Sequence, residues 1–192
     1  VLSLVFAMHK LMLTLFEFNS GSHKLYGTRV LIWDLVGQMQ SVSFNVFGLF
    51  IRGTPLMRVY LRALGANIGA RVFWDTFPPI ETTALDIGDD VVVEDGAMLL
   101  GHVVDHQRLQ FGSVSVGKGA VISSHVNVQP HTNIGSNVTV GCLTTVMKHE
   151  TLPDDTEWVG SPAVRRSVAS KLQPKLTAVH SRPTTYAVVS QS

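Results

Sequence analysis

Residues 116 to 164 read VGKGAVISSHVNVQPHTNIGSNVTVGCLTTVMKHETLPDDTEWVGSPAV, and one spacing runs through all of them. A large apolar residue stands at Val116, Ile122, Val128, Ile134, Val140, Val146, Leu152, Trp158 and Val164, every sixth position without a miss. Upstream, Ile87, Val93 and Leu99 keep the same step. Glycine follows this residue at Gly69, Gly88, Gly117, Gly135 and Gly141. Four positions after it comes a small or β-branched side chain: Val72, Val91, Ala97, Val103, Ala120, Val126, Thr132, Val138 and Thr144. A period of six is neither that of a helix nor that of a simple hairpin, so each hexad is expected to be one short strand and a corner, with the large apolar residue turned inward. Three hexads close one coil of about 18 residues, and residues that far apart should lie one above another at roughly 4.8 Å. Gly, Asn and Asp supply the backbone freedom the corners need. About five coils are expected between Ile68 and Val164, the first of them irregular.

The repeat breaks once. From Leu99 to Val116 the step is 17 residues, so the register slips and residues 101 to 114, GHVVDHQRLQFGSV, must leave the coil as a loop. In a domain of otherwise similar rungs, the interrupted one is where function is sought. It contains His102 and His106, and Glu81, Asp86 and Asp105 are the candidate carboxylates to orient an imidazole. His131 and His149 are 18 apart and should stack on one corner row, while His125 projects from another corner.

Outside the repeat the texture is different. Residues 1 to 18, VLSLVFAMHKLMLTLFEF, are nearly continuous apolar sequence interrupted by His9, Lys10 and Glu17. A helix is expected there, either interfacial or packed on other sequence rather than spanning a bilayer, so membrane association through this segment stays open. A polar turn (Asn19, Ser20, Gly21, Ser22) should follow, then a helix from Arg29 to Phe50 whose stripe Leu31, Leu35, Met39, Val42, Val46 and Phe50 is expected to pack on the protein. Gly53 stops it, and Thr54 as N-cap with Pro55 at the first helical position starts a short helix to Leu64. The chain thus divides into a helical segment (1–64), a repeat domain (65–166) and a tail (167–192) without periodicity that is expected to be poorly ordered. Lys and Arg number 15 against 14 Asp and Glu, which removes the charge excess that nucleic-acid binding requires. The single cysteine, Cys142, excludes an intramolecular disulfide framework and is expected to be a small buried filler. It fits a reducing compartment: the cytoplasm, or the cytoplasmic face of a membrane.

The repeat from Gly65 to Ala163 resembles the left-handed β-helix of the hexapeptide (LpxA-like) acyltransferases, and the handedness comes from that resemblance, since crossovers are ordinarily right-handed. It implies a mainly β fold, a left-handed parallel β-helix of about five coils with an N-terminal α-helical segment. In such enzymes a His at the break takes the proton from an acceptor hydroxyl or amine as it attacks a thioester. Imidazole suits this because its unperturbed pKa of about 6.5 leaves it neutral yet basic near pH 7. His102, in LLGH, holds the matching position and His106 follows within the loop. Residues 152 to 163, LPDDTEWVGSPA, resemble the closing motif of these acetyltransferases, where a Gly-Asn-Pro-Ala run lies near coenzyme A. The resemblance implies a donor-binding role for Gly160, Ser161, Pro162 and Ala163, with Arg165 and Arg166 near phosphates; Ser161 stands where the motif has Asn.

A narrower resemblance rests on GTPLMRVYLRALGANIGARV, Asp75, Glu81, IGDDVVVEDGAMLLGH and LTTVMKHETLPDDTEWVGSPA. Together these are similar to the C-terminal region of nonribosomal peptide synthetase-like proteins, including polylysine-forming synthetases, where membrane helices alternate with hexapeptide modules. It implies a thioester donor on a peptidyl carrier domain rather than free coenzyme A, an amine acceptor, and no tightly bound cofactor or metal. A site between subunits of a homotrimer, or between tandem modules of a longer chain, is implied by the fold. Two other readings stand beside this one: a docking module without chemistry, and a zinc-dependent carbonic anhydrase-like enzyme using stacked histidines and one from a neighbouring subunit.

Overall fold

The structure is a computed structural model, in which residues 21–166 are described together with Ala7, Lys10, Leu11 and Thr14. The sixfold spacing becomes a prism with three parallel sheets. One stacks β2 (Asn67–Ile68), β4 (Leu85–Ile87), β9 (Val114–Val116), β12 (Thr132–Ile134) and β15 (Thr151–Leu152). The second stacks β3 (Phe73–Trp74), β5 (Val92–Val93), β10 (Val121–Ile122), β13 (Thr139–Val140) and β16 (Glu157–Val159), and the third β6 (Met98–Leu99), β11 (Asn127–Val128) and β14 (Thr145–Val146). Ile122 pairs with Val140, Val128 with Val146 and Ile134 with Leu152, the 18-residue step that the spacing predicts. The first coil is one residue longer, Ile68 pairing with Ile87. Its third side is an irregular strap, closed by a 3₁₀ turn at Thr82–Ala84.

The inward row from Ile68 to Leu152 is buried, and so are the small residues beside the corners from Val72 to Thr144, Val103 excepted. Corners turn through left-handed backbone. Asp90, Gly119, Asn137 and Asp155 form one such column, His125 and Leu143 another, and His131 and His149 a third. Asn, Asp and His tolerate this region better than other residues with a side chain, which accounts for their recurrence at these positions.

Two helices cover one end. α1 spans Thr28–Ile51 and α2 spans Pro55–Ala63, with the Thr54 hydroxyl accepting from the Leu56 N–H as the predicted N-cap. Phe44 of α1 and Met57 and Leu61 of α2 belong to the same buried cluster as the coils. Among the described residues no helix is long and apolar enough to cross a membrane.

Several expectations fail. The Leu31, Leu35, Val42 and Phe50 stripe faces outward, and α1 instead buries Val30, Val36, Gln40 and Phe44. The helix carries two apolar faces, and periodicity alone selects the more hydrophobic one. Gly21 and Ser22, expected in a polar turn, instead open strand β1 (Gly21–Lys24). Val164 keeps the sixfold spacing but is 63% exposed, because β17 (Val164–Arg165) folds back antiparallel onto β16. Trp158 is partly buried against the core. Cys142 is exposed, beside the left-handed corner at Leu143. Ala7, Lys10, Leu11 and Thr14 are helical, as expected; the rest of that segment and the tail from residue 167 lie outside the described residues.

Candidate active site

The interrupted rung is ordered. The Leu100 N–H still donates to Val128 O at 2.9 Å; the chain then leaves the coil at Gly101 and returns at Gly112, whose N–H donates to Gly101 O at 2.9 Å. Between them β7 (His102–Asp105) and β8 (Arg108–Phe111) form an antiparallel hairpin instead of the predicted loop. His106 and Gln107 both have positive φ, 46° and 59°, as a two-residue hairpin turn of this kind requires. β1 adds a third strand, pairing Gly21 with Phe111 and His23 with Leu109. The insertion is absorbed without disturbing the stack: Leu99 pairs with Val128 and Ile87 with Val116, eleven residues beyond the regular step.

His102 opens the hairpin and is one-quarter exposed, its Nδ1 3.2 Å from the Glu81 carboxylate. Glu81 ends the irregular strap of the first coil, and its carbonyl accepts from the Ala84 N–H. It is fully buried, and its Oε1 accepts from the Trp33 indole N–H. The Trp33 and His102 rings also meet in a T-shaped contact, centroids 4.6 Å apart at 68°. A carboxylate away from water needs donors. An ionised carboxylate only accepts, so with Glu81 ionised this contact selects the His102 tautomer that donates from Nδ1, and in that tautomer the neutral ring keeps its lone pair on Nε2. Gly101 makes the approach possible: a Cβ there would lie 2.6 Å from the Glu81 Cβ.

The other candidates are elsewhere. Asp105 stands three residues along the strand, where side chains point to the opposite face. It meets Lys148 Nζ at 2.6 Å and His106 Nδ1 at 2.6 Å instead of His102. The Lys148 hydrogen bond, with smaller help from His106 and against the effect of burial, holds the Asp105 carboxyl below the usual aspartate range. His106 is 92% exposed at the hairpin turn, and Asp86 accepts from Asn67 Nδ2 at 2.7 Å. Of the three predicted carboxylates, Glu81 is the one brought to His102. Trp33 was missed; it lies on the α1 face opposite the leucine stripe, and no spacing rule links it to Glu81.

The closing segment lies on the third sheet, the one from which His102 departs. Thr145 donates its N–H to Gly160 O at 3.0 Å and accepts at its own carbonyl from the Ala163 N–H at 2.8 Å. Gly160, Ser161, Pro162 and Arg165 are exposed, and Arg166 pairs with Glu157 at 2.5 Å. Below β6 come β11, β14 and this segment, a strip about 14 Å long at ~4.8 Å per rung. Met98, Asn127 and Thr145 project from it between the hairpin and Gly160. His131 and His149 stack face to face as the spacing predicts, centroids 4.7 Å apart. Among the described residues no three of His, Cys, Asp or Glu are grouped to hold a metal ion.

No family model matches the chain. Its architecture is the left-handed parallel β-helix of the hexapeptide-repeat acetyltransferases. A maltose O-acetyltransferase from Clostridium difficile 630 superposes with a TM-score of 0.57 at 17% identity, covering 83% of this chain and 95% of that one. A galactoside acetyltransferase in complex with coenzyme A gives a TM-score of 0.54 at 16% identity, covering 76% and 85%. In sequence, the chain is 33% identical over 125 residues to the delta-poly-L-ornithine synthetase of Acinetobacter baumannii (strain AB307-0294). The match takes in 65% of this chain and spans 9% of that relative's length.

Proposed function

We propose that this protein is an acyltransferase that moves an acyl or aminoacyl group from a thioester to an amine or hydroxyl, with His102 as general base. The observation that carries the reading is the buried Glu81 carboxylate at Nδ1 of a partly exposed imidazole, an arrangement in which Nε2 serves as the proton acceptor. The acceptor's nitrogen attacks the thioester carbonyl while Nε2 takes its proton; the carbonyl re-forms, the C–S bond breaks, and the imidazolium returns the proton to the departing thiolate. The Gly160–Ala163 segment, with Arg165 beyond it, is the place for the donor's pantetheine and phosphate ends, and the strip from β6 to β14 leads the arm toward His102. The coenzyme A complex of a fold relative supports a thioester of that class. The synthetase relative's name supports a primary amine such as the δ-amine of ornithine as acceptor, and a carrier-bound donor is the reading that the sequence resemblance to peptide synthetase-like proteins implies. We infer further that the working unit is a homotrimer or a set of tandem modules.

The test supplies acetyl-CoA or the L-ornithyl thioester of N-acetylcysteamine as donor and L-ornithine as acceptor, and follows thiol release and amide formation. His102→Ala should lower turnover by about 10² to 10⁴. Acceptor-dependent turnover left intact in His102→Ala would overturn the assignment, and no turnover with any thioester would favour a docking role.

A further inference from the structure

We infer that α1, which lies outside the coils, is a working part of the site, and that Trp33 is a positioning residue holding Glu81 and His102 in register. The inference rests on the acyl-transfer reading of His102. Trp33, Gly37 and Gln40 are spaced i, i+4, i+7, which places them on one face of the helix. That face grips the strap Pro78–Glu81 residue by residue. The Gln40 Nε2, on a fully buried side chain, donates to Pro78 O at 2.9 Å and Pro79 O at 3.1 Å. Gly37 receives Ile80 so closely that a Cβ would lie 2.5 Å from its Cδ1. Trp33 donates to Glu81 itself.

Each contact removes one freedom. The strap has no strand ladder of its own, since it replaces the third strand of the first coil. The two Gln40 bonds fix its backbone height, and Ile80 against Gly37 fixes its distance from the helix. What remains is rotation of the Glu81 carboxylate. The indole N–H settles that, because indole only donates and so holds Oε1 as an acceptor. The same ring packs against the imidazole in a T-shaped contact and opposes a flip that would exchange Nδ1 and Nε2. A small core of Val30, Val36, Leu109 and Phe111 ties α1 to the hairpin bearing His102, so one helix indexes both members of the pair.

Trp33→Phe removes the N–H and keeps an aromatic ring. With the L-ornithyl N-acetylcysteamine thioester as donor, kcat should fall about tenfold to a hundredfold, the range for losing a partner that orients a site group, with KM nearly unchanged. Imidazole ¹⁵N spectra should change from the Nδ1–H form of His102 to a mixture of tautomers. The double variant Trp33→Phe/Glu81→Gln should be no slower than Glu81→Gln alone, because Trp33 acts through Glu81. Multiplicative losses, or a wild-type kcat and tautomer in Trp33→Phe, would overturn the inference. If Trp33→Phe does not fold, the Trp33 indole N–H resonance decides: it should move in Glu81→Gln, and an unmoved resonance rejects the contact. A His102→Ala protein with full turnover would sink the acyl-transfer reading by itself, leaving the spectroscopic result to judge the geometry separately.

Discussion

Gly101 has no room for a side chain. A Cβ would meet the Glu81 Cβ at 2.6 Å and its Oε2 at 2.9 Å, and Glu81 is fixed from the other side by Trp33. Gly101→Ala should therefore cost about 1–3 kcal/mol of stability, as overpacking does, and lower turnover by pushing the carboxylate off Nδ1. Chemical denaturation and thiol-release kinetics check both parts; unchanged values in each would mean that the close approach is not maintained. Glu81 illustrates what a sequence can say about such a pair. It stood beside Asp86 and Asp105 as a candidate because all three are acids near the break. Nothing in linear spacing distinguishes the fully buried Glu81 from the other two.

The hairpin is the element that departs from the repeat, and its far end is held by charge. Asp105 on β7 reaches Lys148, which follows β14 two coils away, as well as His106 beside it. Because its carboxyl is held below the ordinary range in the folded protein, this anchor is fully present above the usual aspartate pKa of about 3.9 and is lost as pH falls through the depressed folded value. Hydrogen-exchange protection at Val103 and Gln110, a hydrogen-bonded pair of the hairpin, should accordingly hold through the mildly acidic range and drop below about pH 4. In Lys148→Met protection should already be lower at neutral pH and vary less on acidification. Identical profiles for the two proteins would show that Asp105 does not tie down the hairpin.

Across the whole molecule, helices and coils share one interior. Phe44, Met57 and Leu61 lie in the same buried cluster as Trp74 and the inward row of the prism. An array of about five coils is short, and its open end is covered by helices that lose their own packing if the coils open. Unfolding should be a single transition, with helical circular dichroism and tryptophan fluorescence (Trp33 in α1, Trp74 and Trp158 in the coils) changing together. A helical transition well separated from the fluorescence change would show that the two parts fold independently.

The prism was legible because its cause is local and repeated: each hexad needs one large inward residue and one permissive corner, so the pattern accumulates in the linear chain from Ile87 to Leu152. The break was legible for the same reason, as a missing step between Leu99 and Val116, and it marked His102. What lay in the break was decided in three dimensions. The segment becomes a hairpin because β1, remote in sequence, supplies a third strand, and α1 turns inward the face that meets the strap and the hairpin, leaving its more apolar stripe outside. Trp33, Glu81 and His102 come from a helix, a strap and a strand with no common period, so their meeting depends on packing between distant segments that no repeat encodes.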